Sequence, residues 1–180
     1  MIWVIVAVAV VLLLVVLLYN RLVQLRNRVD NSWAQVEVQL KRRYDLIPNV
    51  VETVKGYAAH EQQTFERVVQ ARNAAQAAQG PEAQAEAENA LTAALRQLFA
   101  LAESYPELRA APNFAALQQE LSETENRIAV SRQIYNDSVL TYNNAVQTIP
   151  TNLVAAATGF RTRPFFEAEV EADTPPVVDF

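Results

Sequence analysis

The residues that could perform catalysis in this chain are few. Its single histidine, His60, begins the stretch HEQQT, which has Thr64 where a zinc-protease helix carries its second histidine. A di-iron site in a helical bundle needs two Glu-x-x-His pairs, and one histidine cannot supply them. The absence of cysteine excludes a thiol nucleophile, a disulfide and cysteine-ligated zinc. The sequence therefore predicts a protein that is not an enzyme, with no cofactor and no small-molecule substrate.

A basic cluster, made of Lys41, Arg42 and Arg43 with Asp45 nearby, is a candidate binding site. It could mark a nucleic-acid site, but the whole chain carries 15 basic and 20 acidic residues, for a net charge of −5. Nucleic-acid binders normally show a dominant basic surface, so we expect no nucleic-acid partner. We interpret the cluster as the solvent-exposed distal tip of a helical hairpin, where it is a candidate contact with a partner protein.

Several polar and charged residues flank the apolar positions of the predicted helices. They could form layers of hydrogen bonds that fix how the helices align, or they could line a polar groove that binds a partner. We favour the first interpretation, because any long bundle places charges beside its apolar stripes. The candidate residues of this polar layer are Glu61, Arg72, Glu125, Asn126, Arg132 and Asn136, with Asp45 as a further candidate.

Aromatic and basic side chains are interleaved in the stretch TNLVAAATGFRTRPFF, which follows Pro150. Aromatic rings partition into the headgroup region of a bilayer, and arginine binds anionic lipid there. We therefore predict a second membrane contact, with packing of this stretch onto the bundle as the open alternative. Its candidate residues are Phe160, Arg161, Arg163, Phe165 and Phe166.

The N-terminal segment of the chain is apolar, and as a membrane anchor it would hold the candidate residues described above near the bilayer. Residues 2–18, IWVIVAVAVVLLLVVLL, contain no charge and would form about 25 Å of helix, close to the thickness of a bilayer core. Trp3 and Tyr19 stand where interfacial aromatic residues occur. A cleaved signal peptide fits less well, since no basic residue precedes the apolar run and no small-residue cleavage pattern follows it. We predict a retained transmembrane anchor over residues 1–19.

Positively charged side chains flank only one end of this anchor. Arg21, Arg26 and Arg28 follow it, whereas only the terminal amine precedes it. The positive-inside rule then predicts a single-pass protein with its N-terminus outside the cell and its main domain in the cytoplasm.

The chain beyond the anchor shows helical periodicity almost throughout. Apolar residues recur at intervals of three and four over positions 22–47, and at intervals of seven over positions 114–149. Gly80 followed by Pro81 marks the end of one helix and the start of the next. Both patterns indicate helices that bury one face.

Pro48 leaves two arrangements open. A proline disfavours helical geometry at the preceding residue, so Pro48 either begins a new helix after a tight turn or kinks one very long helix. We favour the turn, because it makes the helices comparable in length and lets them bury one another.

These elements predict an all-α protein, with an N-terminal transmembrane helix followed by an antiparallel up-down four-helix bundle of long helices and a short extended C-terminal tail. The predicted helices of the bundle lie at about residues 20–45, 48–79, 82–105 and 113–149. The predicted divisions are an anchor at 1–19, the bundle at 20–150, a short helix or membrane-proximal segment at 151–166, and an acidic flexible tail at 167–180.

Long stretches of the chain closely resemble the LemA family. They are YNRLVQLRNRVDNSWAQVEVQLKRRYDLIPNVVETVKGYAAHE, the dipeptide Ala71-Arg72, YPELRA and NFAALQQELSETENRIAVSRQIYNDSVLTYNNAVQTIPTN. They cover about residues 19–166, in the order of the family, around a variable alanine-rich middle. Departures are small, such as VEV at residues 36–38 where the family more often has IDV. The resemblance implies a bacterial membrane protein with one N-terminal anchor, a helical bundle and no well-defined biochemical activity.

The same resemblance points towards membrane organisation, because one relative looks necessary for building magnetosome membranes. Other relatives are encoded beside membrane metalloproteases or phosphatase-like membrane domains. We therefore expect a scaffold or adaptor of the bacterial cytoplasmic membrane that contacts lipid and associates with itself or with another membrane protein. The alternative is an accessory or regulatory subunit of a membrane protease or transporter, which should stay monomeric until its partner is present.

Overall fold

A computed structural model describes residues 1–167, and all regular secondary structure within them is helical. The helices are α1 (Ile2–Lys55), α2 (Gln62–Ala77), α3 (Pro81–Glu103), α4 (Pro106–Arg109), α5 (Pro112–Gln147) and α6 (Thr151–Thr158). The predicted acidic tail at 167–180 lies outside the described residues, except for Glu167, which is exposed. The all-α expectation is confirmed for the described part of the chain.

The first helix joins the apolar segment to the rest of the protein without a break. α1 contains 54 residues, a length of about 80 Å. Its N-terminal part is exposed and is long and apolar enough to cross a membrane. From Leu22 onward one face of the same helix is buried. The apolar segment and the buried face are therefore parts of one uninterrupted helix.

The predicted turn at Pro48 is wrong, because α1 continues through this residue. Pro48 lies on the exposed side of the helix, whereas Leu46, Ile47 and Val50 are buried on the other side. Burying each of these side chains contributes about 1.5–3 kcal/mol, and together they outweigh the roughly 3 kcal/mol cost of an internal proline. The first turn of the chain comes instead at residues 56–61, between α1 and α2.

α1 and α5 are not consecutive in the chain, but they pack against each other as a long antiparallel pair, which we call the α1–α5 hairpin. Trp33 of α1 packs against Tyr135 of α5, with 5.1 Å between ring centroids. Farther from the apolar segment, Arg42 of α1 pairs with Glu120 of α5 at 3.0 Å. We call the end of the hairpin near the apolar segment proximal and the other end distal.

Different elements cover the two halves of this hairpin, which differs from the predicted bundle of four comparable helices. α2 and α3 pack on each other and on the distal half only. Because α1 takes up residues 48–55, α2 is left with 16 residues and cannot reach the proximal half. There α6 packs on Leu22, and residues 160–167, which we call the strap, run in extended form along α5.

Candidate functional site

A buried group of polar side chains links three helices in the distal half. Arg43 of α1 is 2% exposed. Its Nη1 pairs with Glu88 of α3 at 2.8 Å, and its Nη2 pairs with Glu125 of α5 at 2.7 Å and donates to Thr92 Oγ1 at 2.9 Å. We call these residues, with Tyr44 and Gln84, the polar centre. It ties α1, α3 and α5 together at one level of the bundle.

Tyr44 and Gln84 complete the polar centre on its inner side. The Tyr44 hydroxyl donates to Glu88, and Gln84 Nε2 donates to the Tyr44 hydroxyl at 2.7 Å and to the carbonyl of Ala75 at 3.0 Å. Burial, strengthened by the neighbouring Glu88 carboxylate, raises the pKa of the Tyr44 hydroxyl far above its usual range. Tyr44 therefore serves as a hydrogen-bond donor here and does not act as a base at physiological pH.

Glu125 lies at the outer edge of the polar centre. Burial raises the pKa of its carboxyl group, and Arg43 opposes that shift. Two carboxylates thus share one buried guanidinium, which fixes the relative positions of α3 and α5 on α1. The Arg43 Nε has no hydrogen-bond partner among residues 1–167.

Arg72 of α2 compensates for the proline inside α1. Pro48 has no N–H, so it cannot donate to the carbonyl of Tyr44 four residues earlier. The Nε of Arg72 donates to that carbonyl instead, at 2.7 Å. This bond attaches α2 to α1 at the place where the helix lacks its own donor.

Replacing Arg72 with methionine is expected to lower the free energy of unfolding by about 1–3 kcal/mol, because the carbonyl of Tyr44 loses its partner. In a Pro48→Ala background the residue at position 48 can donate to that carbonyl. The same Arg72 substitution should then cost about 1 kcal/mol less. Urea unfolding of the four members of this double-mutant cycle measures the difference, and equal costs in both backgrounds would contradict the assignment.

A groove of about 590 Å³ lies between α3 and α5, beside the polar centre. Its apolar lining includes Leu95, Leu121 and Ile128, and Phe166 of the strap contributes to its proximal end. Polar and charged side chains from both helices also line it, namely Asn89, Thr92, Arg96, Gln118, Ser122, Glu125, Asn126 and Arg132. The groove therefore has both apolar and polar walls and follows the length of α5 from Gln118 to Arg132, a shape suited to an elongated occupant.

The strap is held on α5 by paired tyrosine and asparagine side chains. At the first pair, the Tyr142 hydroxyl donates to the carbonyl of Arg161 at 2.9 Å. Asn143 donates to the carbonyl of Arg163 at 2.9 Å and accepts from its N–H at 2.8 Å. The Asn143 amide therefore binds the backbone of Arg163 as a neighbouring β-strand would.

The second pair repeats this arrangement one heptad earlier on α5. The Tyr135 hydroxyl donates to the carbonyl of Pro164 at 2.9 Å. Asn136 donates to the carbonyl of Phe166 at 3.2 Å and accepts from its N–H at 2.9 Å. Seven helical residues rise about 10.5 Å, and three extended residues span about 10 Å, so the two repeats stay in step.

Alkaline pH should weaken the hold of Tyr135 on the strap. Burial raises the pKa of the Tyr135 hydroxyl from 10.0 to about 12. A folded-state pKa above the unfolded value contributes stability that is present below pH 10 and lost as the pH rises towards 12. The free energy of unfolding should therefore fall more steeply over this range in the unmodified chain than in Tyr135→Phe. Urea unfolding at a series of pH values measures both slopes, and equal slopes would contradict the assignment.

The predicted distal tip is corrected by the structure. α1 extends ten residues, or about 15 Å, beyond Asp45, so the basic cluster lies within the length of the bundle. Arg43 is in the core, and Arg42 pairs with Glu120. Lys41 and Asp45 are exposed, and a contact of these two residues with a partner stays a prediction.

The six residues of the predicted polar layer do not meet at one place. Glu125 belongs to the polar centre, Arg72 reaches the backbone of α1, and Asn136 binds the strap. Glu125 also lines the groove, together with Asn126 and Arg132, so three of the six residues share this groove. Glu61 is the N-cap residue of α2.

The predicted membrane contact is corrected at Phe166, which is 1% exposed and packs 5.5 Å from the Trp33 ring. Phe165 also packs on the core, as the alternative interpretation expected. Phe160 lies against Tyr19, with 5.8 Å between ring centroids, at the end of the apolar segment. For Phe160 and the exposed residues Arg161 and Arg163 the membrane contact stays a prediction.

Sequence reasoning missed Tyr44, Gln84 and Glu88 as members of the polar centre. A signal was present, because Gln84 and Glu88 stand on the same helical face as Leu91 and Leu95, at spacings of four, three and four. Polar residues within an apolar stripe must find buried partners. In chemical terms the arrangement aligns helices and binds extended backbone, and residues 1–167 contain no group of three potential metal ligands.

Comparison with known proteins extends this description. Magnetosome protein MamQ 1 of Paramagnetospirillum magneticum is 27% identical over 183 residues, covering 87% of this chain and 67% of the relative. Magnetosome protein MamQ of Magnetospirillum gryphiswaldense shows the same identity and coverage. Protein LemA of Metamycoplasma hominis is 24% identical over 163 residues, covering 86% of this chain and 73% of the relative. The LemA family itself matches residues 32–180, which include the polar centre, the groove-lining helices and the strap, so this chain belongs to the LemA family.

Proposed function

We propose that the protein is a non-enzymatic scaffold or adaptor of the bacterial cytoplasmic membrane, which spans the membrane once and associates with further copies of itself. The observation that carries this proposal is the continuity of α1, whose apolar segment runs directly into the buried face of the folded domain. A helix of this kind holds the domain at a fixed distance from the bilayer. The similarity to magnetosome proteins supports a role in membrane organisation.

The outer face of the α1–α5 hairpin supports self-association. Val38, Val130 and Ile134 are 63%, 58% and 45% exposed. Ile134 lines a shallow depression formed by α1 and α5, which also includes Asn31, Gln35 and, nearer the apolar segment, Arg28. Clustered exposed apolar side chains are typical of contact surfaces between proteins.

Two copies of the chain with different affinity tags test this proposal when they are expressed together and extracted in mild detergent. Purification through the first tag should recover the second tag as well. Mixing separately expressed copies after extraction is the control for association outside the membrane. Recovery of the first tag alone would contradict the scaffold and would favour the accessory subunit of a membrane protease or transporter.

The charges beside the apolar segment support a cytoplasmic position for the folded domain. Arg21, Arg26 and Arg28 all follow the segment, and the positive-inside rule places them in the cytoplasm. Because the chain lacks cysteine, single cysteines can report the topology. In intact cells, a membrane-impermeant thiol reagent should label Ile2→Cys and should label Glu123→Cys only after lysis. The opposite pattern would contradict the proposed orientation.

A further inference from the structure

A cleft of about 320 Å³ lies beside the end of the apolar segment, where α1, α5, α6 and the strap meet. α1 contributes Tyr19 and Arg26 to its lining, and α5 contributes Tyr142. The rest of the lining comes from the end of α6 and from the first residues of the strap. The volume lies in the range of pockets that bind small molecules, so the cleft has room for a polar group of that size.

The cleft lies close to the expected boundary of the membrane. Leu18, the last residue of the apolar segment, packs on the buried cluster between α1 and α6. The Phe160 ring lies 5.8 Å from the Tyr19 ring between centroids, and the guanidinium carbon of Arg26 lies 5.2 Å from the centre of the Phe160 ring. Arg26 follows Tyr19 by about 10.5 Å along the helix, but helical side chains lean towards the N-terminus. With residues 2–18 in the hydrocarbon core, the cleft therefore opens in the headgroup layer, which is about 5–8 Å thick.

The lining of the cleft is basic. Arg26, Arg161 and Arg163 all line it, and no carboxylate of residues 1–167 does. The Nη2 of Arg163 pairs with Asp30 at 3.2 Å. Neither Arg26 nor Arg161 forms an ion pair within that part of the chain, and both residues are exposed. Two guanidinium groups can therefore bind the same anion.

We propose that this cleft binds the headgroup of an anionic phospholipid, with the phosphate bound by Arg26 and Arg161. The inference rests on the membrane-spanning role proposed for the apolar segment, and it assigns a defined lipid site to the domain beside it. Guanidinium groups bind phosphate oxygens through paired N–H donors. Thr162 lines the same cleft, and its hydroxyl is a further donor to the headgroup.

Apolar side chains beside the cleft favour a lipid over a free phosphate ion. Tyr19 and Phe160 line its side nearest the apolar segment. Ile149, which precedes α6, and Leu153, within α6, are exposed although α6 packs on the end of the apolar segment. Apolar side chains at this level contact acyl chains. A lipid can therefore place its headgroup in the cleft and its acyl chains along the apolar segment.

Lipid binding to the full-length chain tests the proposal. Native mass spectrometry in a nonionic detergent measures the dissociation constant of the first bound phosphatidylglycerol or phosphatidylcholine, with the same acyl chains in both lipids. Phosphatidylglycerol should bind more tightly, because the choline of the other lipid adds a cation beside the arginine side chains. Arg26→Gln combined with Arg161→Gln should weaken the binding of phosphatidylglycerol at least about tenfold.

Two other arginine residues provide the matched control. Arg21 and Arg28 lie on the same flank of the apolar segment and are exposed, but neither lines the cleft. Arg21→Gln combined with Arg28→Gln removes the same charge and should change the dissociation constant by about twofold or less. Circular dichroism of both double variants checks that they are folded.

Three results would overturn the proposal. Equal weakening by the two double variants would show that the net charge of the flank attracts lipid and that the cleft does not. Equal affinity for the two lipids would remove the role of the arginine side chains. Displacement of phosphatidylglycerol by an equal concentration of inorganic phosphate would assign the cleft to a soluble anion.

Failure of the cleft is distinguishable from failure of the proposed function. Release of the unmodified chain from membranes by alkaline carbonate would contradict the membrane-spanning role. Unselective lipid binding by a chain that carbonate does not release would overturn the lipid site alone.

A second measurement leaves all arginine residues in place. In the full-length chain, which has no native cysteine, Thr162→Cys should react several-fold more slowly with an uncharged maleimide when phosphatidylglycerol is added. Gln24→Cys is the control, because Gln24 lies between Tyr19 and Arg26 along α1 but lines a different depression. Its rate should not change. Equal slowing at both positions, or at neither, would overturn the proposal.

Discussion

Replacing Arg43 with methionine is expected to lower the free energy of unfolding by about 3–5 kcal/mol. The guanidinium of Arg43 is paired with both Glu88 and Glu125, so its removal takes this partner from the buried Glu88 carboxylate and one of the neighbouring cations from Glu125. Urea unfolding in mild detergent measures the loss through the fluorescence of Trp33, with Trp3→Phe in every variant compared so that Trp33 is the only tryptophan. The loss should shrink in acid, because burial raises the pKa of the Glu125 carboxyl group and protonation then removes its charge.

The neighbouring residue provides the matched control. Arg42 pairs with Glu120 at 3.0 Å, but both side chains are about 40% exposed. Solvent screens such a pair, so Arg42→Met should cost about 0.2–1 kcal/mol. Equal losses from the two substitutions would mean that the polar centre does not hold the helices together.

Replacing Phe166 with alanine is expected to lower the free energy of unfolding by about 3–5 kcal/mol, as for other phenylalanines deleted from protein cores. Phe166 is 1% exposed and packs against Trp33, and its backbone is bound by Asn136. The substitution should also change the emission of Trp33 before global unfolding, because the ring that contacts the indole is lost.

The adjacent phenylalanine is the control for this prediction. Phe165 is only partly buried, so Phe165→Ala should cost less and leave the emission of Trp33 nearly unchanged. A cost below about 1 kcal/mol for Phe166→Ala would contradict the docking of the strap and place the contribution of this residue near that of a surface position.

The sequence predicted the helical class and the approximate bounds of α3 and α5, because apolar periodicity and helix-ending residues are local properties. The seven-residue repeat that begins at Phe114 corresponds to α5 as far as Tyr142, its last position Ile149 lies just beyond the helix, and Pro81 after Gly80 begins α3 as expected. Pro48 was misinterpreted because its effect depends on distant residues. A buried apolar face and the donor from Arg72 together keep the helix intact, and neither follows from the residues next to the proline.

The strap was the least predictable element. Its aromatic and basic composition suits a membrane surface as well as a protein groove, so residue types alone could not decide between them. The signal lay elsewhere in the chain, in the dipeptides Tyr135-Asn136 and Tyr142-Asn143, which repeat at a spacing of seven. An amide and a hydroxyl presented together once per heptad can bind extended backbone, and this pattern becomes interpretable only when the bound segment is known.

In the proposed scaffold, the uninterrupted helix α1 connects the apolar segment to the folded domain. Arg26 lies 5.2 Å from the Phe160 ring, so the strap begins beside the part of α1 that leaves the apolar segment. The proximal half of the domain is therefore joined to the apolar segment through α1 and also contacts the adjoining part of α1 through the strap. Copies that associate through the outer face of the α1–α5 hairpin would align their membrane segments side by side.

Light scattering coupled to size exclusion tests self-association most directly. The full-length chain extracted in mild detergent and a fragment that begins at residue 20 should both elute with a protein mass that is a multiple of the monomer, which is 20.1 kDa for the full chain. An oligomer in both forms would show that the bundle builds the assembly. A monomer in both forms, with circular dichroism confirming that the fragment is folded, would contradict the scaffold.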